Sequence, residues 1–436
     1  MTTPIWDFVE EYLRQDPARF HMPGHKGRPI LGCEERDITE IDGAGELYAP
    51  GGIVAESEQN ASRLFGCPTF YSAEGCSLAI RAMLRLAAAG EERPVILAGR
   101  NAHKTFIHTA ALLDLGVEWL YPKGGEAYLS CAPTPEEVEA GILAHRPCAV
   151  YITSPDYLGR VTDIAAVAAV CRRHRVRLLV DNAHGAYLRF LTPSRHPMDL
   201  GADMCCDSAH KTLPVLTGGA YLHIRDGALA ARAKEALALF GSTSPSWLIL
   251  QSLDLANPYL ETLSPRLAAC AARVGEIKER LKRQGFALIG DEPLKITLAP
   301  KSYGYTGDEL AAILRKEGTV PEFHDPDFLT LMVTPENREE DFARLIRGLT
   351  DLPKRPPVLT LPPPCPRPKR RMSCRAACLA PAEELPLSAC VGRTLAAASV
   401  GCPPAVPPVV CGEEIDPAAA ELMAYYGIRR CWVVKE

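Results

Sequence analysis

Between about residues 64 and 224 the chain alternates short apolar runs with stretches whose apolar positions recur at helical spacing. The runs predict strands over 94–98, 149–153, 177–180, 202–206 and 219–224. Helices are predicted over 77–89, 103–115 and 163–174; Gly90 and Gly116 close the first two, and Thr162 or Asp163 caps the third. Strands that alternate with helices imply an α/β domain with a mostly parallel sheet covered on both faces.

The flanks read differently. Residues 1–60 hold one short amphipathic helix over 5–13, then FHMPGHKGRP and a Gly-rich run over 43–52, and segments of that kind lie over other structure. A long Ala/Leu/Arg/Lys helix over 258–285 leads into a smaller α+β region with strands over 294–298 and 329–333 and helices over 307–317 and 338–349. The basic, Pro-rich KRPPVLTLPPPCPRPKRR reads as an extended connector, and the last segment carries helices over 382–398 and 416–426. The expected organisation is an N-terminal covering segment 1–60, a large ligand-binding domain 61–257, a small α+β domain 258–353, a linker 354–371 and a C-terminal domain 372–436.

Composition removes several classes of function. With 47% hydrophobic and 23% charged residues, the 436-residue chain has the profile of a folded globular protein. A net charge of -5 gives no general basic field for nucleic acid. No run of apolar residues is long enough to span a membrane, and MTTPIWDFVEEYL lacks the basic-then-apolar order of a secretory leader. The sixteen cysteines are scattered without a CxxC pair, so free thiols in a reducing cytoplasm are expected, with no metal centre.

The chemistry concentrates in RLLVDNAH (177–184) and CCDSAHKTLPVLTGGAYLHI (205–224). In an open α/β sheet ligands bind beyond the carboxyl ends of the strands, which is where Asp181 and the run Ser208-Ala209-His210-Lys211 both fall. Pyridoxal 5′-phosphate requires such a pair: an amine for its aldehyde and a carboxylate to keep its pyridine nitrogen protonated. Alone, an Asp at a strand end is commonly a turn former and a Lys a surface residue; the order of the two on this frame is what favours the cofactor. Its phosphate calls for backbone amides at a helix start, and Glu74-Gly75-Cys76-Ser77 offers one, although an ordinary strand-to-helix turn reads the same way. His103 is placed either to stack on the ring or to cap its own helix. Ser208 and His210 flank the lysine within reach of phosphate oxygens, and His184, after Ala183, is placed to orient Asp181.

These residues resemble the Orn/Lys/Arg decarboxylases of pyridoxal-phosphate fold type I, in a short form without the N-terminal wing domain. FHMPGHKG (20–27), DITEIDGAGELYAPGGIV (37–54), DSAHKTLPVLTGGA (207–220), GSTSPSWLILQSLD (241–254) and the closing VGRTLAAASVGCPPAVPPVVCGE (391–413) carry the resemblance over nearly the whole chain. It implies a transferase-like large domain with smaller C-terminal domains. Lys211 is then the amine that binds the cofactor, Asp181 the partner of the pyridine nitrogen and His103 the stacking ring. Gly75, Cys76, Ser77, Ala183, His184, Ser208 and His210 complete the cofactor site, with Thr243 or Ser244 arriving from a second subunit of a homodimer or larger oligomer. The implied reaction converts lysine, arginine or ornithine to the corresponding amine and carbon dioxide. Glu322 is the first candidate for the distal cation of the substrate, followed by Glu46 and the weaker Asp42, while His21, His25 and Lys26 fall near the entrance or in a structural turn. Two departures stand out: Glu74 where the family commonly has Asn, and Asp181-Asn182-Ala183-His184 where Asp-Glu-Ala-Trp is frequent. The rival readings are an aminotransferase or lyase on the same cofactor, and a cofactor-binding regulator without turnover.

Overall fold

The structure, a computed structural model, describes residues 1–122, 130–350, 352–400 and 406–436. Its strands in chain order are β1 (Thr69–Ser72), β2 (Val95–Gly99), β3 (Gly116–Leu120), β4 (Ala149–Thr153), β5 (Arg177–Asp181), β6 (Met204–Asp207) and β7 (Ala220–Ile224). They continue as β8 (Ala287–Ile289), β9 (Lys295–Ala299), β10 (Phe323–His324), β11 (Leu329–Met332), β12 (Ala382–Pro386) and β13 (Arg430–Val434). The chain divides into two compact units, one formed by Met1–Gly90 with Arg177–Arg266 and the other by Glu91–Val176 with Leu267–Glu436.

In the first unit the strand order is β1-β7-β6-β5. Strands β5 and β6 are parallel, whereas β7 runs antiparallel to both β6 and β1. Residues Leu178–Asp181 and all of β6 and β7 are buried, so strands covered on both faces appear in the sequence as unbroken apolar runs. The first helix, Pro4–Arg14, illustrates how an unfavourable end is satisfied: Thr3 makes no side-chain cap bond. Asp254, on the helix Trp247–Glu261, instead accepts the amides of Ile5 and Trp6, both at 2.9 Å. Burial pushes the Asp254 carboxyl up to about 6 even though Ser57, Trp6 and Ile5 donate to it.

The second unit contains three parallel strands in the order β4-β2-β3, a four-stranded antiparallel sheet β10-β11-β9-β8 and the hairpin-like pair β12-β13. Two expectations are corrected. The helix predicted over 382–398 is strand β12, paired residue by residue with β13 and followed by a single turn of 3-10 helix at Leu387–Ala389. Ala, Glu and Leu favour a helix there, but Pro386 stops one after five residues, and pairing with Arg430–Val434 satisfies the backbone. The long helix predicted over 258–285 is two helices, Trp247–Glu261 and Leu263–Gln284, with Pro258 inside the first rather than opening the second. The connector 354–371 is extended and is tied down at its ends. Arg355 donates its amide to the Tyr303 carbonyl at 3.1 Å, and the Arg370 side chain reaches Glu118 at 2.7 Å. Among the described residues no helix is long and apolar enough to cross a membrane.

The strongest buried ion pair of this unit joins the end of β2 to the C-terminal segment. Arg100 has no exposed surface, and its two terminal nitrogens contact Glu413 at 2.7 and 2.6 Å. Its remaining donors go to the carbonyls of Pro407 and Pro408 at 3.2 and 3.3 Å, and its guanidinium lies 5.0 Å from the Trp119 ring centroid. Each nitrogen of the fork is therefore engaged, which favours tolerance of a buried pair. Glu413→Gln should cost roughly 3–5 kcal/mol in denaturant unfolding, because it leaves a buried guanidinium uncompensated. The double variant Arg100→Met/Glu413→Leu should recover most of that loss; equal losses in single and double variants would contradict it.

Asp325 provides a pH test. It accepts the amides of Asp327 and Phe328, both at 2.7 Å, through one oxygen, and its other oxygen has no partner among the described residues. Burial, only partly offset by those amides, pushes its carboxyl up to about 7. The unfolded chain releases this proton near the ordinary value of about 3.9, while the folded protein keeps it until about pH 7. This group therefore lowers stability as pH rises through that window and has no further effect above it. Asp325→Asn should gain on the parent by on the order of 1–3 kcal/mol between pH 4 and pH 8. Melting curves that stay parallel across that range would rule it out.

Candidate active site

Strands β5 and β6 run side by side with Asp181 opposite Cys206, so both deliver their following residues to the same edge. Asp181 is buried and accepts the Ala183 amide at 3.2 Å and the Cys206 thiol at 3.7 Å. Beyond β6 the chain makes one helical turn, Ala209–Thr212, which carries Lys211. The Lys211 Nζ lies 3.1 Å from His184 Nε2. The imidazole expected to orient Asp181 thus has the lysine amine as a hydrogen-bond partner. His210 donates its Nδ1–H to the Gly219 carbonyl at 2.9 Å, which fastens the turn to the start of β7.

Under this edge lies a fully buried polar cluster. Asp207, the last residue of β6, accepts from Asn182 Nδ2 at 2.8 Å, His196 Nε2 at 3.0 Å and His223 Nε2 at 3.1 Å. Burial would raise its carboxyl, but the two imidazoles prevail and hold it well below the usual carboxylate range. His223 moves down, chiefly because of burial. Thr69 Oγ1 lies 2.9 Å from His223 Nδ1, and the Met198 amide donates to His196 Nδ1 at 3.3 Å, so the hydrogen-bonding capacity of both rings is used. The ligand atoms of His196, Asp207 and His223 lie within 4.8 Å of one another, as do those of Cys76, Asp181 and Cys206. The hydrogen bonds of the first set already account for its arrangement.

Glu74 precedes the helix Gly75–Ala87, which begins two residues earlier than predicted. Gly75 adopts φ 69°, a conformation that favours glycine, and a side chain there would meet nothing within 4 Å. Its amide is committed to the Gly218 carbonyl at 2.6 Å, so an anion at this helix end would face Cys76 and Ser77 rather than Gly75. Glu74 does not need a cation. Its carboxylate accepts the Ser242 amide at 2.6 Å, which brings the segment containing Thr243 and Ser244 beside Glu74 of the same chain.

Tyr48 is a residue that sequence reasoning missed. Its hydroxyl is buried without a partner among the described residues, and it packs so closely on Gly241 that an added Cβ would lie 1.9 Å away. Burial, and next the nearby Glu74 charge, push its phenol up to about 12. The only sequence signal is an aromatic residue inside a Gly-rich run, which carries no spacing information.

The remaining candidates are placed as follows. In the first unit Glu46 is exposed on its loop. His21 contacts Tyr12 at 2.7 Å, His25 contacts Asp37 at 3.2 Å and Lys26 takes φ 56°, so HMPGHKG is a hydrogen-bonded turn. In the second unit His103 caps the helix Lys104–Leu113, its Nδ1 accepting the Thr105 amide at 3.2 Å, while the residue stays exposed. Glu322 is exposed there and accepts from the Tyr157 hydroxyl at 3.3 Å. Residues 401–405, which hold the first proline pair of the closing motif, lie outside the described residues.

The sequence pattern of the Orn/Lys/Arg decarboxylase major domain matches residues 3–291. The chain belongs to the Orn/Lys/Arg decarboxylase family. Within that family it is 28% identical to the arginine decarboxylase of Bacillus subtilis over 95% of this chain and 91% of that protein. It is 24% identical to the lysine decarboxylase LdcA of Pseudomonas aeruginosa, over 59% of this chain and 40% of that one. The lysine decarboxylase LdcF of Francisella novicida superposes with a TM-score of 0.81 at 17% identity, covering 99% of this chain and 81% of the other. The constitutive lysine decarboxylase of Escherichia coli gives 0.78 at 18% identity, covering 100% and 82%. The fold is the α/β architecture of fold type I, as the alternating sequence pattern and the family motifs imply.

Asp207→Ala should destabilise this family member by roughly 3–5 kcal/mol, because both imidazoles and the Asn182 amide lose their common acceptor. Denaturant titration at neutral pH measures this; a loss of under about 1 kcal/mol would show that the cluster does not hold the strand ends.

Proposed function

We propose that this chain decarboxylates a basic amino acid with pyridoxal 5′-phosphate as cofactor, and that arginine is the first substrate to test. The observation that supports it most directly is the pairing of a half-buried lysine amine with a buried carboxylate at one strand edge. Asp181 ends β5, His184 follows three residues later, and His184 Nε2 sits 3.1 Å from Lys211 Nζ. This donor set fits the cofactor: a carboxylate shielded from water retains its charge partner, and an amine held by an imidazole is oriented for capture. When bound, pyridoxal phosphate supplies an aldehyde for the amine and a protonated ring that accepts the electron pair left by departing carbon dioxide.

The chain's own residues have separable tasks. Lys211 would hold the cofactor through its side-chain amine. Asp181, which accepts from the Cys206 thiol and the Ala183 amide, would face the ring nitrogen of the cofactor. His184 is placed to take or return a proton at Lys211 Nζ. Ser77, Ser208 and His210 serve the phosphate, and His103 offers its exposed ring for stacking. Glu322 and Glu46 are the carboxylates assigned to the distal cation of the substrate. The preference for arginine rests on relatives of similar length named arginine decarboxylase, whereas the lysine decarboxylase relative aligns over less of both chains. A cytoplasmic homo-oligomer that makes polyamine precursors completes the proposal. Glu74 is bonded to the Ser242 amide, which removes the main reason for favouring a silent regulator.

Holoenzyme given arginine, lysine and ornithine in turn should release carbon dioxide and the matching amine, fastest from arginine. Lys211→Ala should lower kcat by a factor on the order of 10³ or more. Formation of a keto acid in place of carbon dioxide would point to an aminotransferase, and no product from any of the three would overturn the proposal.

A further inference from the structure

Two cysteines lie close together in the second unit. Cys374 begins the helix Cys374–Leu379, whose cap Ser373 accepts the Ala376 amide at 3.1 Å. Cys411 is buried in the turn before Glu413, and its thiol donates to the Cys374 carbonyl oxygen at 3.6 Å. The segments that carry them are fastened together: the amides of Arg371 and Met372 both donate to the Gly412 carbonyl, at 2.7 and 3.1 Å. Gly412 has φ 87°, and a side chain there would strike the Met372 carbonyl oxygen at 2.5 Å, so the close approach depends on glycine. Both cysteines line an open cleft of about 440 Å³ together with Trp119, Arg370 and Glu413. A small solute can therefore reach the pair.

The chemistry of the pair is asymmetric. The neighbouring Cys411 thiol brings the Cys374 thiol below its usual range against burial and the Glu413 charge, and the Arg370 and Arg100 charges add to the lowering. Cys411 moves the other way, first because of the neighbouring Cys374 thiol and then because it is buried. One thiol is prepared to be the thiolate and the other to keep its proton until it reacts.

We propose that Cys374 and Cys411 form a peroxide-oxidisable site that closes to a disulfide. The Cys374 thiolate attacks one oxygen of hydrogen peroxide, the O–O bond breaks, and hydroxide leaves as Cys374 becomes a sulfenic acid. The Cys411 sulfur then attacks the Cys374 sulfur, the S–S bond forms as S–O breaks, and the departing hydroxide takes the Cys411 proton to leave as water. The two thiols lose one electron pair and the peroxide gains it. Because Glu413 follows Cys411 by two positions and grips Arg100, the crosslink closes directly on the segment that holds the end of β2.

The test is peptide mapping of holoenzyme treated with hydrogen peroxide and then alkylated, without reduction. The expected result is a peptide pair joined through Cys374 and Cys411 that disappears on treatment with dithiothreitol. Cys411→Ser should abolish the pair and leave a dimedone-trappable sulfenic acid on Cys374. Since Cys411 is buried and its variant can fold poorly, the parent protein decides alone: at sub-saturating iodoacetamide Cys374 should alkylate several-fold faster than Cys378, one turn along the same helix. If the peroxide-treated parent keeps both thiols alkylatable, joins Cys374 to another cysteine, or alkylates Cys378 faster, the proposal is overturned.

Discussion

The Asp207 carboxylate ties the active-site edge together. It ends β6, is wholly buried, and accepts from Asn182 just beyond β5, from His223 on β7 and from His196 on the connection between β5 and β6. An anion in this position is costly unless it is satisfied, and here these three donors and the Cys205 thiol at 3.5 Å meet it while two imidazoles lower its proton affinity. The consequence is geometric. Asp181 and Lys211 lie at or just beyond strand ends whose spacing is set by one shared acceptor, so the two residues proposed to hold the cofactor inherit their placement from a buried polar cluster.

A comparable arrangement operates in the second unit. Arg100 consumes its donors on Glu413 and two proline carbonyls and lies over Trp119, so the end of β2 and the loop that carries His103 are anchored by the C-terminal segment. Buried pairs of this kind add little net stability but strongly penalise any arrangement that separates them. They fix one geometry at the cost of tolerance to change. The two units therefore use the same device, a buried charge held by several hydrogen bonds, to hold the residues following a parallel strand.

What the sequence revealed follows from how local each signal is. Strands β4 to β7 were legible because burial on both faces writes unbroken apolar runs, and the helix Ile164–His174 was legible from its Asp163 cap. The placement of Asp181 and Lys211 at the ends of neighbouring strands was legible because each closes or follows an unbroken apolar run. Strand β12 was not, since Ala-Glu-Glu-Leu favours a helix until a partner some fifty residues away pairs with it. The helix Ile53–Phe65 was hidden in a region that its glycines marked as irregular. The His196–Asp207–His223 cluster, the bond from Glu74 to Ser242 and the buried Tyr48 hydroxyl arise only from tertiary contact, and no spacing rule encodes them.

The edge strand β1 has a bearing on how the protein is made. It pairs with β7 alone among the described strands, and its first residue, Thr69, meets His223 across a separation of 154 positions. A ribosome adding roughly 5–20 residues per second needs roughly 8–30 s to synthesise that interval. Throughout it the nascent N-terminal portion carries a strand with no mate. Birth of this enzyme on the ribosome thus includes a long interval of exposure, when chaperone shelter matters most.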